Sequence, residues 1–109
     1  MIMAEGIGTI DGDNLTGTPD NDIILGLAGD DTLTGGAGAD VLRGGSGDDV
    51  LDGGAGNDVL RGAGGADVLR GGSGRDRLAG HAGADMLDGG AGIDLADYAG
   101  SGAGVTVSL

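Results

Sequence analysis

Cysteine, lysine, phenylalanine and tryptophan are absent from this chain of 109 residues, and proline, histidine and tyrosine occur once each. Without cysteine there is no disulfide and no thiolate metal site, although no cellular compartment is excluded. The lone His81 cannot build a zinc site, which needs three or four ligands in closed geometry. The paired histidines of a zinc-protease helix are missing, and a phosphate-binding Walker A loop would need a lysine. The single glutamate is Glu5, so the closing Glu of an EF-hand is missing too. No apolar run approaches the roughly 20 residues that span a bilayer. No basic segment leads into an apolar one, so no signal peptide is visible. Cations are scarce: five arginines face 18 acidic residues, for a formal charge of -13. That balance argues against binding nucleic acid or an anionic membrane.

Glycine and aspartate fill the space. There are 29 glycines, and every acidic residue except Glu5 is Asp. A merely solvated acidic surface mixes Asp with Glu. The preference for Asp points to short carboxylates in turns. Composition alone would favour disorder, because such a chain buries too little apolar surface to offset its ordering entropy. The order of the residues overrides that inference.

From Gly8 to Asp97 the chain divides into ten nine-residue blocks without a gap. Three of them read GGAGADVLR (35–43), GGSGDDVLD (44–52) and GGAGNDVLR (53–61). The first position is Gly in all ten, from Gly8 to Gly89. The sixth is Asp in all ten: Asp13, Asp22, Asp31, Asp40, Asp49, Asp58, Asp67, Asp76, Asp85 and Asp94. The eighth is Leu or Ile, from Leu15 to Leu87, until Ala96 closes the series. A disordered tract has composition without phase. A phase kept over the whole array makes each block one structural unit stacked on its neighbours.

Each position then has a physical task. The first six residues are Gly-rich and lack apolar content, so they form a turn in which Gly allows φ > 0 and close backbone approach. The last three, such as Val41-Leu42-Arg43, form a short strand. With a period of two, the eighth position faces inward and the seventh and ninth face outward. Two turns and two strands make one coil of about 18 residues. The fold class expected is all-β, with two parallel sheets packed through Leu side chains, turns along both edges and no substantial helix.

These blocks resemble the RTX, or hemolysin-type, calcium-binding repeat, G-G-x-G-x-D-x-U-x with U a large apolar residue. The resemblance covers residues 8–97. It implies a right-handed parallel β-roll with Ca2+ between consecutive turns on each edge. It also implies a secreted, extracellular bacterial protein exported by type I secretion and folding when it meets calcium. Calcium takes 6 to 8 oxygen ligands, more than one turn with one constant carboxylate can supply. Stacked turns alternate between edges, so Asp40 should meet Asp58, and Asp49 should meet Asp67. By the family pattern, turn carbonyls complete the shell: those of Gly35, Gly36, Gly38, Gly44, Gly45, Gly47, Gly53, Gly54, Gly56, Gly71, Gly72 and Gly74. At the fifth position Asp30, Asp48 and Asn57 add oxygen donors, as does Asn21, whereas Arg75 brings a cation beside its site. Five turns per edge leave four gaps on each, hence about eight Ca2+ as cofactor. Binding and folding should be one event.

Departures from the pattern mark the ends and one column. Asp11 and Asp20 replace Gly at the fourth position of the first two blocks, Thr9 and Thr18 stand at their second, and Pro19 follows Thr18. Leu27, Ala63 and His81 replace Gly at a second position that calls for φ > 0. His81 is read as a tolerated turn residue. Residues 1–7 are assigned as an N-terminal cap and 98–109 as a C-terminal capping strand. Within the latter, Tyr98 closes the core, and the alternating stretch 104–109 supplies the strand. Asp52, Arg70 and Asp88 should align on one sheet and Arg43 and Arg61 on the other. Ile23, Val41 and Val59 should form an outward apolar stripe that allows self-association. The chain is read as a non-enzymatic calcium-binding module of a larger secreted protein. The alternatives are an autonomous adhesin-type spacer or an ice-binding solenoid, the latter disfavoured because outward threonines are few.

Overall fold

Every ninth residue carries the apolar side chain of the core, and the backbone turns to bring these residues together. The computed structural model describes residues 5–7, 11–97 and 106–108. The proposed Tyr98 closure lies outside them, as do Gly8 and Thr9. Twelve strands form two six-stranded sheets among the described residues. The first sheet contains β1 (Glu5–Ile7), β3 (Ile23–Leu25), β5 (Val41–Gly45), β7 (Val59–Ala63), β9 (Arg77–Ala79) and β11 (Leu95–Asp97). The second contains β2 (Asn14–Thr16), β4 (Thr32–Thr34), β6 (Val50–Asp52), β8 (Val68–Arg70), β10 (Met86–Asp88) and β12 (Thr106–Ser108).

All pairings are parallel, and within the array each residue pairs with the one 18 positions on, as in Ile23↔Val41 and Val50↔Val68. A parallel ladder normally needs a long crossover. Here each crossover is the intervening half-coil on the opposite sheet, which makes the chain a β-solenoid. β1 pairs with β3 and β12 with β10, so each sheet gains one strand from outside the array.

The eighth-position residues make one core. Ile24, Leu33, Leu42, Leu51, Leu60 and Leu69 have no exposed surface, and Leu78 and Leu87 have almost none. Leu15 and Ala96, in the outermost coils of the array, are half-buried against them. The apolar slab is one side chain deep per sheet, so the roll is thin. On the outside, Asp52 aligns with Arg70 and Arg70 with Asp88, as read from the spacing. Arg43 aligns with Arg61 on the other sheet. Of the apolar stripe, Ile23 is exposed but Val41 and Val59 are half-buried, so it is less open than the alternation suggests.

Candidate metal centre

The strand alternation does not stop at the strand end. It continues through the sixth position before the strand and the first position after it, so Asp, Leu and Gly all face inward. The sixth-position carboxylates are therefore buried: Asp22, Asp31, Asp40, Asp49, Asp58, Asp67, Asp76 and Asp85 are each 1% exposed. The first-position glycine makes the room. A Cβ on Gly35 would stand 2.5 Å from Asp40 Oδ2, and one on Gly53 would stand 2.5 Å from Asp58 Oδ2. Gly35, Gly44, Gly53 and Gly71 do not have positive φ. They are present for space rather than for backbone freedom, a distinction the sequence did not draw.

The carboxylates form a column along each edge. Asp40 N–H donates to Asp58 Oδ1 at 2.8 Å, and Asp49 N–H to Asp67 Oδ1 at 2.8 Å. The same bond links Asp22 to Asp40, Asp31 to Asp49, Asp58 to Asp76 and Asp67 to Asp85. It also links Asp13 to Asp31 and Asp76 to Asp94. The expected neighbours do meet, one through its amide and the next through one carboxylate oxygen. The other oxygen is orphaned. Oδ2 of Asp31, Asp40, Asp49, Asp58, Asp67, Asp76, Asp85 and Asp94 is buried with no hydrogen-bond partner. A buried carboxylate oxygen without a donor costs several kcal/mol in order of magnitude unless a proton or a cation meets it.

Carbonyls converge on the same gaps. Gly36 and Gly38 hold φ of 94° and 95°, a conformation that glycine adopts readily. A Cβ on Gly54 would overlap the Gly36 carbonyl, and one on Gly56 would overlap the Gly38 carbonyl. The pattern repeats where Gly72 and Gly74 follow Gly54 and Gly56, and where Gly45 and Gly47 follow Leu27 and Gly29. From the other side, the Gly53 carbonyl lies 2.8 Å from the Cβ position of Gly35, beside Asp40 Oδ2. The gap between 35–40 and 53–58 is thus bordered by the orphaned oxygen of Asp40, the carbonyls of Gly36 and Gly38 from the earlier turn and the Gly53 carbonyl from the later one. Among the described residues no three His, Cys, Asp or Glu side chains cluster. Any ion here must be held largely by backbone. Donors made only of oxygen suit a hard cation such as Ca2+, so the residues present fit the metal implied by the sequence.

Burial also perturbs protonation. Desolvation raises the Asp58 and Asp67 carboxyls to about 7 and Asp49 to about 6. The amide bond from the preceding Asp partly opposes this, and repulsion from the stacked carboxylates adds to it. Asp40, Asp76 and Asp85 shift upward for the same first cause. Without a cation these six carboxyls favour protons, chiefly because burial strips them of solvent.

The fifth-position donors also tie turns together. Oδ1 of Asp30 and Asp48 accepts the N–H of Asp48 and Ala66, at 2.8 Å each. Asn21 and Asn57 do the same for Ala39 and Arg75. These fifth-position oxygens are exposed and tie successive turns together outside the carboxylate column. Arg75 is also exposed, and Asp76 keeps its orphaned oxygen beside it. Leu27, Ala63 and His81 hold φ of 77°, 74° and 64°, so the left-handed conformation read for their positions is present. One turn departs from the rest. Asp22 Oδ2 accepts the Thr18 N–H at 2.6 Å, and the Thr18 hydroxyl lies 3.0 and 3.2 Å from the two carboxylate oxygens. A hydroxyl four residues before Asp22 was the available signal for this closure.

A family model described as the RTX calcium-binding nonapeptide repeat matches in four overlapping copies, at residues 7–42, 26–60, 34–69 and 61–96. Comparison with curated proteins gives no match, and comparison with solved structures gives none either.

Proposed function

This chain belongs to the RTX calcium-binding nonapeptide repeat family, and from that premise we propose that it folds by taking up Ca2+ between stacked turns as a non-catalytic module of a secreted bacterial protein. The eight orphaned carboxylate oxygens carry this reading. Each needs a positive partner, the chain has no lysine, and none of the eight has a hydrogen-bond donor. Sixth-position Asp residues and the carbonyls of first, second and fourth positions would hold the ions. Calcium supplies the positive charge that makes a column of buried carboxylates tolerable.

Metal uptake and folding are coupled by the same atoms. In the unfolded chain the 18 acidic residues repel and the donor set does not exist. Strands of mostly three residues and a core of one apolar side chain per block are a weak framework alone. Ligands that bind only the folded state stabilise it by mass action, so calcium drives closure. About eight dications would carry a charge of about +16, comparable with the chain's -13. Extracellular calcium modules have dissociation constants of about 10⁻⁴ to 10⁻³ M, so the chain would stay open inside a cell and close outside it. The strands at 5–7 and 106–108 serve as caps on the two sheets.

Calorimetric titration of the chain tests the reading. Several ions per chain, bound cooperatively and not replaced by Mg2+, is the result expected. Binding of one ion or none would contradict it. Mg2+ demands a small octahedral shell and keeps its waters, which a carbonyl-lined gap does not provide.

A further inference from the structure

We propose that Thr18 takes the place of a calcium ion at the turn 17–22, so that the gap between this turn and 35–40 holds no metal. This inference rests on the calcium reading and changes where its ions sit. Asp22 is buried like the other sixth-position carboxylates, at 1% exposure, yet its Oδ2 is not orphaned. The Thr18 amide donates to it at 2.6 Å, and the Thr18 hydroxyl reaches Oδ1 at 3.0 Å and Oδ2 at 3.2 Å. The hydroxyl has one proton to give, so it serves one of these oxygens at a time. Its own oxygen accepts the Asp20 N–H at 3.2 Å. The carboxylate therefore has its donors from within the turn.

The backbone agrees independently. In the regular gaps, a Cβ on Gly54, Gly72 or Gly90 would overlap the second-position carbonyl of the turn before it. A Cβ on Gly36 would stand 3.1 Å from the Thr18 carbonyl, so that oxygen is drawn back from the gap. The fourth-position carbonyl of Asp20 lies 2.7 Å from the Cβ position of Gly38, also further than in the later gaps. Nor is Thr18 merely a substituted glycine. Leu27, Ala63 and His81 keep positive φ at the second position, and Thr18 does not. Pro19 biases the residue before it toward extended backbone.

Pro19 also shows why this turn can differ. In later turns the third-position amide bonds to the preceding turn: Ser46 N–H to Leu27 O, Ala55 N–H to Gly36 O, and Ser73 N–H to Gly54 O. Proline has no such amide. The turn 17–22 is the first of its edge in the array, with no earlier repeat to bond to. A solenoid end needs its own closure, and a hydrogen-bonded turn that requires no ion provides it.

The test is a crystal of the full chain grown in saturating calcium, with the ions located by anomalous scattering, alongside calcium per chain by equilibrium dialysis. The result expected is an ion in the gap between 35–40 and 53–58 and in the gap between 53–58 and 71–76, with none between 17–22 and 35–40. Thr18→Gly should bind one more ion per chain and fill that gap. Thr18→Ser, which keeps both donors, should match the parent chain. An ion in the first gap of the parent chain overturns the proposal, as does a Thr18→Gly chain with an unchanged ion count. If no gap holds an ion, the calcium reading itself fails, and that outcome is distinct from the other two.

Discussion

A methyl group added at Gly53 asks whether the first-position glycine exists to make room for a carboxylate. Its Cβ would stand 2.5 Å from Asp58 Oδ2 and 2.8 Å from Asp58 Cβ and Cγ, where ordinary contact begins at 3.4 Å. The carboxylate would have to retreat by about 0.9 Å, away from the gap it borders and from the Asp40 amide it accepts. Overpacking of this kind costs about 1–3 kcal/mol, or roughly 5- to 150-fold in the folding equilibrium. Gly64 is the internal control. A Cβ there meets nothing within 4 Å, and its φ is not positive. Alanine at that site restricts the unfolded chain and should stabilise by about 0.4–1 kcal/mol. The assay is guanidinium unfolding at fixed saturating calcium, followed by circular dichroism. The calcium midpoint is a poorer readout, because a 2 kcal/mol loss spread over about eight ions moves it only about 1.5-fold. Equal stabilities for Gly53→Ala and Gly64→Ala would refute the cradle.

Four further outcomes are expected. Asp58→Asn keeps the shape and loses the charge, so calcium per chain should fall by about one; Asp58→Ala also strands the buried Asp40 amide and should cost about 1–3 kcal/mol more in denaturant unfolding. Asp48→Ala removes only an exposed tie to Ala66, so dialysis should find the ion count unchanged and stability lower by no more than about 1 kcal/mol. Leu27→Gly should gain stability at saturating calcium. A left-handed φ costs a side chain about 1–2 kcal/mol, whereas glycine returns about 0.5–1 kcal/mol of that in entropy. For pH, the folded, unloaded carboxyls of Asp58 and Asp67 sit near 7, above their value in an open chain. The metal-free fold is therefore most favoured below about pH 4 and loses that support as pH rises through 7. The open chain carries ionised carboxyls at pH 7, so calcium uptake there should release almost no protons, whereas toward about pH 4 protons on the open chain compete and uptake should weaken. Calorimetry in two buffers of different ionisation enthalpy should give matching heats at pH 7 and different heats near pH 4; a large buffer dependence at pH 7 would contradict it.

The period, the coil and the inward Leu column were legible because they depend only on residue type and spacing. A nine-residue repeat with one apolar position admits few stackings, and the 18-residue register follows from alternating edges. The meeting of Asp40 with Asp58 was legible for the same reason. The use of each oxygen was not. Spacing brings carboxylates together, but which atom accepts the neighbouring amide and which is left bare depends on peptide orientation. Asp30, Asp48 and Asn57 show this: their oxygens sit in the turn as read, yet they accept amides outside the carboxylate column. Gly53 shows it again, since its φ is ordinary and its need is for space. Thr18 was visible as a departure from the repeat, but only its bonds to Asp22 reveal what it does.

The most direct measurement is the far-ultraviolet circular dichroism of the chain in excess chelator, then during titration with calcium and back into chelator. An open chain without the metal is expected. A cooperative gain of β signal should follow at about 10⁻⁴ to 10⁻³ M calcium and reverse fully when the metal is withdrawn. The same β spectrum in chelator as in calcium would mean that the buried carboxylate columns stand without their cations, and would contradict the account.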